Sequence, residues 1–185
     1  MAKLVLLSGG LDSTLCLDLA VEDGGKVFAV GFDYGQDHGI ELEYAERTAA
    51  RLGVPFKVIW LPKLPRPDGL VFSGRNLLIC AYAITEAVAL GCDSIVVGAN
   101  KSDHKDFPDC RPEFFFGLSE AAKAYGVSVL TPLLGMSKSD VVRVAESRGL
   151  GLVHTWTCYS PKDGGPCGEC YSCKGLQEAV KNVHG

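Results

Sequence analysis

The sequence lacks any apolar run near the roughly 18 residues that a membrane span needs, and its opening, "MAKLVLLSGG", holds too short an apolar stretch for a secretion signal. It has no surplus of basic charge: 18 Lys and Arg stand against 22 Asp and Glu, a formal net charge of -4. Phosphate backbones are gripped by clustered Lys and Arg, so this balance argues against a nucleic-acid partner and against a membrane surface. There is no internal repeat and no low-complexity tract. What is left is a cytoplasmic protein acting on small molecules. The apolar fraction of 47% over 185 residues is enough for a sizeable core, expected as one domain over 1–185.

Apolar, β-branched runs at "KLVLL", "KVFAVGF", "FKVIW", "SIVVGA" and "VSVLT" alternate with helix-like segments beginning near Thr14, Glu41, Asn76, Arg111 and Lys138. Strands written as continuous apolar runs are those of a parallel sheet covered on both faces. The pattern predicts an α/β fold, a Rossmann-like parallel sheet with helices on both sides. Ligands of such folds gather at the carboxyl ends of the strands. The strand ends read "SGGLDS", "DYGQDH", "NKSDHKDFPDC" and "PLLGMSKSD", all polar or glycine-rich. "LPKLPRPDGLVFSG", with three prolines, reads as a loop over the sheet.

In "KLVLLSGGLDSTLCLDLA" a strand runs through a Ser-Gly-Gly turn into a helix, with Asp12 or Ser13 suited to the helix start. Adjacent glycines let backbone N–H groups approach an anion, and a helix N-terminus adds partial positive charge. The turn lacks the Lys of the Walker motif and the spacing of the dinucleotide motif. Residues Leu7, Ser8, Gly9, Gly10, Leu11, Asp12, Ser13 and Thr14 are read as a pyrophosphate cradle. Within it, Ser8 and Ser13 donate to phosphate oxygens and Asp12 helps hold Mg²⁺. An ordinary capped strand-to-helix turn is the plainer alternative.

At the next strand end Asp33, Tyr34 and Gln36 are candidates for the adenine side of ATP. Arg75 is a candidate anion ligand and Asn76 a helix cap with a possible binding role. Asp103, Asp106, Asp109 and Arg111 share one loop with His104 and Lys105 and are candidate substrate contacts. Cys110, with no base beside it in sequence, is read as a packing residue, like Cys16, Cys80 and Cys92. Ser137 caps a helix with Asp140 three residues on, which puts Lys138 in the first turn facing the phosphate loop. Asp12, Ser13, Lys138 and Arg111 are the candidates for catalysis.

The remaining four thiols crowd into "TCYSPKDGGPCGECYSC". Cys158, Cys167, Cys170 and Cys173 make a four-thiolate set, and a closed tetrahedral shell of that kind is a structural zinc site. It would clasp a C-terminal loop and helix over residues 154–185. An iron-sulfur cluster is the competing metal reading; the further Cys of the ferredoxin run is absent, because position 177 is Gln.

The loop "SGGLDS" resembles that of the N-type ATP pyrophosphatases, and the whole set resembles one branch of them, the QueC (ExsB) family. The strings are "SGGLDSTLCL", "FDYGQDH", "GRN", "DFPDCRPEF", "TPL", "TCY" and "CGECYSC". They run in order from Ser8 to Cys173. The resemblance implies an ATP-dependent carbon-nitrogen ligase that adenylylates 7-carboxy-7-deazaguanine, takes ammonia to give the amide, and activates the amide again to give the nitrile. It implies ATP with Mg²⁺ as cosubstrate, one structural Zn²⁺ and a homodimer. Two departures from the family pattern stand out: the loop ahead of "GRN" is short, and "CKGLQ" has no Arg after the last cysteine. They leave open a relative that stops at the amide or amidates another carboxylate. A tRNA-modifying pyrophosphatase and a non-catalytic nucleotide sensor are the readings from other classes.

Overall fold

The computed structural model describes residues 1–64 and 74–185, so most of the proline-rich loop expected over 61–74 lies outside the described residues. Five strands form one parallel sheet: β1 (Ala2–Leu6), β2 (Lys26–Asp33), β3 (Phe56–Trp60), β4 (Ser94–Val96) and β5 (Ser128–Leu130), in the order β3-β2-β1-β4-β5. The helices are α1 (Leu11–Glu22), α2 (Glu41–Arg51), α3 (Arg75–Leu90), α4 (Pro112–Lys123), α5 (Lys138–Ser147) and α6 (Tyr171–His184).

The continuous apolar strands do what their pattern predicts. Neighbouring residues of β1 point to opposite faces, and both faces are covered: Val5 packs with Leu15, Val141 and Val142, and Leu4 with Ala83, Ile95 and Phe115. Helices α1, α2, α5 and α6 contribute to the first core, α3 and α4 to the second. Each fully buried Leu or Val on these faces contributes about 1.5–3 kcal/mol relative to exposure. Strand order reverses at β1, whose neighbours are β2 and β4, so the crevice opens beside the end of β1.

Local expectations need correction at two helix starts. Helix α1 begins at Leu11, three residues before Thr14, with Gly10 in extended conformation as its cap and no side-chain cap bond. Asp12 and Ser13 therefore lie inside the first turn. Helix α3 is preceded by Gly74 at φ 78°, and Asn76 is not its cap. The box at α5 is as expected: Ser137 accepts from the Asp140 N–H, and the Asp140 carboxylate accepts from the Ser137 N–H at 3.0 Å. Just past the end of β4, Gly98 packs on the first turn of α1: a Cβ there would sit 3.0 Å from the Ser13 nitrogen.

Candidate active site and metal centre

Gly9, at φ 87°, turns the chain from β1 into α1. No other residue fits there, because a Cβ would lie 2.1 Å from the Glu41 carbonyl oxygen. The loop is closed by its own hydroxyls: Ser8 Oγ and Ser13 Oγ are 3.1 Å apart, and Ser13 Oγ donates to the Gly10 carbonyl at 3.0 Å. The result is a tight cradle at the N-terminus of a twelve-residue helix, a geometry that suits an anion. Leu7 and Leu11 are buried beneath it, and Thr14 is buried within the first turn.

The cradle forms one wall of a cavity of about 230 Å³. Leu7, Ser8, Gly10, Asp12 and Ser13 enter from the β1 side, Tyr34, His38 and Glu41 from the β2 side, Arg75 and Asn76 from α3, and Asp103, Phe107 and Cys110 from the loop after β4. The topology thus gathers the cradle, one adenine-side candidate and three acceptor-side candidates. Arg75 Nη1 donates to the Tyr34 hydroxyl at 3.2 Å, and its guanidinium lies over the Tyr34 ring. Asn76 is fixed by the acidic loop: its N–H donates to Asp109 Oδ2 and its Nδ2 to the Asp109 carbonyl, both at 3.2 Å. Lys138 Nζ reaches Asp12 Oδ2 at 2.5 Å and so stands at the cavity's rim through that carboxylate.

Other candidates are placed differently. Asp33 closes a turn by accepting from the Gly35 N–H at 2.9 Å, and Gln36 spends both ends of its amide on the backbone of Phe32 and Tyr34 and on Glu41. Arg111 is exposed, and its Nε donates to the His104 carbonyl at 2.7 Å, which braces its own loop and leaves it off the cavity wall. Asp106 accepts from the Tyr171 hydroxyl at 2.8 Å, outside the cavity.

Four residues of the site were not among the sequence candidates. Asn100 is buried and bridges two carboxylates, donating to Asp103 Oδ2 at 2.8 Å and to Asp12 Oδ1 at 3.4 Å. Burial, with Asp12 nearby, pushes the Asp103 carboxyl up to about 6. Glu41, His38 and Tyr159 also line the cavity, His38 and Tyr159 with ring centroids 5.1 Å apart. The signal for His38 and Glu41 was a polar run, "QDHGIE", leading into a helix whose first residue is buried. Cys110 is pushed up to about 12 by burial and by Asp103 and Asp109, which leaves it a thiol and a poor nucleophile.

The four cysteines converge as expected. Their sulfur atoms lie within 4.8 Å of one another. Backbone N–H groups point at the sulfurs: Cys167 N–H to Cys158 at 3.2 Å, Cys170 N–H to Cys167 at 3.3 Å and Cys173 N–H to Cys170 at 3.4 Å. Such donors favour thiolates, and the N–H of Glu169 foremost brings Cys167 down to about 7. The group could hold one metal ion. It is not remote from the cavity, because the Trp156 N–H donates to the Gly9 carbonyl at 2.8 Å and Tyr159 follows Cys158 directly.

Against known proteins, the model of the family described as "Queuosine biosynthesis protein QueC" matches residues 2–69 and 66–184. A 7-cyano-7-deazaguanine synthase from Leptospira interrogans is 37% identical over 94% of this chain and 86% of its own. One from Novosphingobium aromaticivorans is 36% identical over 96% and 91%. Among solved structures, the U34-tRNA thiolase NcsA from Methanococcus maripaludis, with its [4Fe-4S] cluster, superposes with a TM-score of 0.66 at 17% identity, over 100% of this chain and 64% of that one. An NMN synthetase from Francisella tularensis gives 0.60 at 14%, over 98% and 84%. At such identities these two speak for the fold alone.

Proposed function

The chain belongs to the QueC family of queuosine biosynthesis proteins, and from that premise we propose how its residues divide the work. It is an ATP-dependent ligase that converts 7-carboxy-7-deazaguanine and ammonia to 7-cyano-7-deazaguanine. A carboxylate resists ammonia until its oxygen becomes a good leaving group, and transfer of AMP supplies one. The observation that carries the residue assignment is the convergence of the Ser8–Ser13 cradle, Arg75 and Asp103 on one cavity.

The cradle's N–H groups and hydroxyls take the departing pyrophosphate, offsetting charge where it develops. Asp12, beside Asp103 and Lys138, is where Mg²⁺ would accompany the phosphates, and Lys138 adds positive charge at the same rim. Tyr34 and the turn at Asp33 and Gln36 form the adenine side. Arg75 meets the acceptor carboxylate, and Asn76, held by Asp109, sets the depth of the pocket. Asp106 and Arg111 shape the acidic loop from outside the cavity, a supporting role more indirect than their sequence positions suggest. No covalent enzyme intermediate is needed; positioning and electrostatics suffice.

Zinc is the metal we assign to Cys158, Cys167, Cys170 and Cys173. A zinc-sulfur bond of about 2.3 Å in a tetrahedron sets sulfurs roughly 3.8 Å apart, and the observed packing within 4.8 Å fits that spacing. An iron-sulfur cube, carrying each thiolate outward on its own iron, would spread them much wider. Zinc there supplies structure and takes no part in the chemistry. We place the enzyme in the cytoplasm. A homodimer finds support in the uncharged face of α3, where Leu77, Leu78, Tyr82 and Val88 are exposed.

The test is mass spectrometry of products from the metal-replete protein with 7-carboxy-7-deazaguanine, ammonia, Mg²⁺ and ATP. The nitrile is expected, with two AMP formed per product. Amide alone would move the assignment to a one-step amide ligase, and no turnover would remove it.

A further inference from the structure

We propose that Glu41 is the proton acceptor for the nitrogen in both halves of the reaction, with His38 beside it as the next station for the proton. The proposal rests on the ligase reading above and deepens it by naming the group that handles ammonia.

The chemistry requires such a group. Ammonia is mostly ammonium near neutral pH and must lose a proton before it can attack. After the C–N bond forms and the bond to AMP breaks, the nitrogen sheds another proton to become the amide. In the second round the amide oxygen attacks the α-phosphorus of a new ATP and pyrophosphate leaves. The nitrogen then gives up its two remaining protons as the C–O bond to AMP breaks and the nitrile forms. AMP carries away the oxygen and its electron pair; the protons need an acceptor among the groups that line the cavity.

Glu41 stands where those protons are released. Its backbone touches the cradle, since the Glu41 carbonyl is the atom that forbids a side chain at Gly9, and its carboxyl lines the cavity on the wall toward Arg75. The leaving-group end and the acceptor end of the reaction flank it. The carboxyl is held by Gln36 Nε2 at 3.2 Å, while His38 Nε2 lies 3.6 Å away; both contacts fall on Oε1. The other charged and titratable groups facing it are Arg75 from α3, Asp33 and Tyr34 from the end of β2, and Tyr159 from the segment before α6. Burial outweighs the Gln36 bond and the Arg75 charge and raises this carboxyl to about 7, the range in which a general base works best at neutral pH. Asp103, the other buried carboxyl of the cavity, is engaged with Asn100 at the phosphate end and is badly placed for this role.

The experiment compares partial reactions in Glu41→Gln, which keeps the shape and a partner for Gln36. ATP–pyrophosphate exchange dependent on 7-carboxy-7-deazaguanine reports the first activation, and product analysis reports amide and nitrile. The variant should keep exchange within about threefold of the parent while nitrile formation falls by about 10² or more. Nitrile formation at the parental rate, or loss of exchange in step with product, would overturn the proposal; the latter would make Glu41 a binding residue. If Glu41→Gln does not fold, the parent protein decides. At fixed free ammonia, single-turnover amide formation should fall as pH drops through about 7, because the base is then protonated, and a flat profile from pH 6 to 8 sinks the idea. A parent protein that lacks exchange altogether counts against the ligase reading, not against Glu41.

Discussion

The phosphate loop and the four-cysteine segment are built by opposite means, yet they meet at one hydrogen bond. The loop takes its shape from the sheet: β1 delivers it, the helix continues it, and Gly9 and Gly98 allow backbone to pack on backbone. The cysteine segment has little of this. Its buried cluster is Trp156, Cys158 and Cys173, and its order rests on N–H groups aimed at sulfur and on the isolated pairing of Lys162 with Gly165. Through Trp156 and Gly9 the second region leans on the first, and through Tyr159 it forms part of the cavity. One wall of the site is therefore built into the sheet, and the other hangs on a segment whose four cysteines could hold a metal ion.

Removing a ligand should break the comparison most sharply. Replacing Cys158, the most deeply buried of the four cysteines, by Ser is expected to abolish binding of the zinc proposed above and to lower Tm by about 10 °C, since structural zinc contributes folding free energy directly. ATP affinity should fall with it, by about tenfold, as the Trp156 contact to the loop loosens. Metal analysis, a melting curve and ATP titration check this. Unchanged ATP affinity in a metal-free protein would mean that the two regions touch without depending on each other.

The reverse perturbation is Gly9→Ala. A Cβ at 2.1 Å from the Glu41 carbonyl oxygen, on a backbone at φ 87°, forces α2 and the loop apart. We expect about 2–3 kcal/mol of destabilisation by denaturant titration and loss of measurable ATP binding, with zinc still bound at one per chain. Loss of zinc as well would show that the dependence runs in both directions.

How much of this was legible beforehand follows the same division. The strands could be read because both faces of a parallel sheet are apolar, and β3 fell on "FKVIW" as expected. The metal set could be read because thiol spacing is a local property. Helix starts were misread where two plausible caps adjoin: Gly10 takes the cap of α1, and Ser13 turns its hydroxyl back to the Gly10 carbonyl. The groups missed in the cavity, Asn100, Glu41, His38 and Tyr159, are polar residues whose burial depends on distant partners. Asn100 matters because Asp12 and Asp103 lie on either side of it, a relation of 88 residues to the first. Neither spacing nor periodicity encodes it.

The smallest expected effect isolates a separate strut, from the cysteine segment to the acidic loop. Tyr171 follows Cys170; its hydroxyl donates to Asp106, and its ring meets Phe107 edge-on at 5.5 Å, so α6 holds the acidic loop whose Phe107 lines the cavity. Tyr171→Phe deletes the hydrogen bond and keeps the ring contact. Stability should fall by about 0.5–1 kcal/mol, because the contact is at the surface and water can replace it. If α6 positions the acceptor side alone, KM for 7-carboxy-7-deazaguanine should rise about two- to fivefold while KM for ATP stays put. An equal rise in both would mean that the clasp acts on the cavity as a whole, with Trp156 and Tyr171 transmitting one displacement.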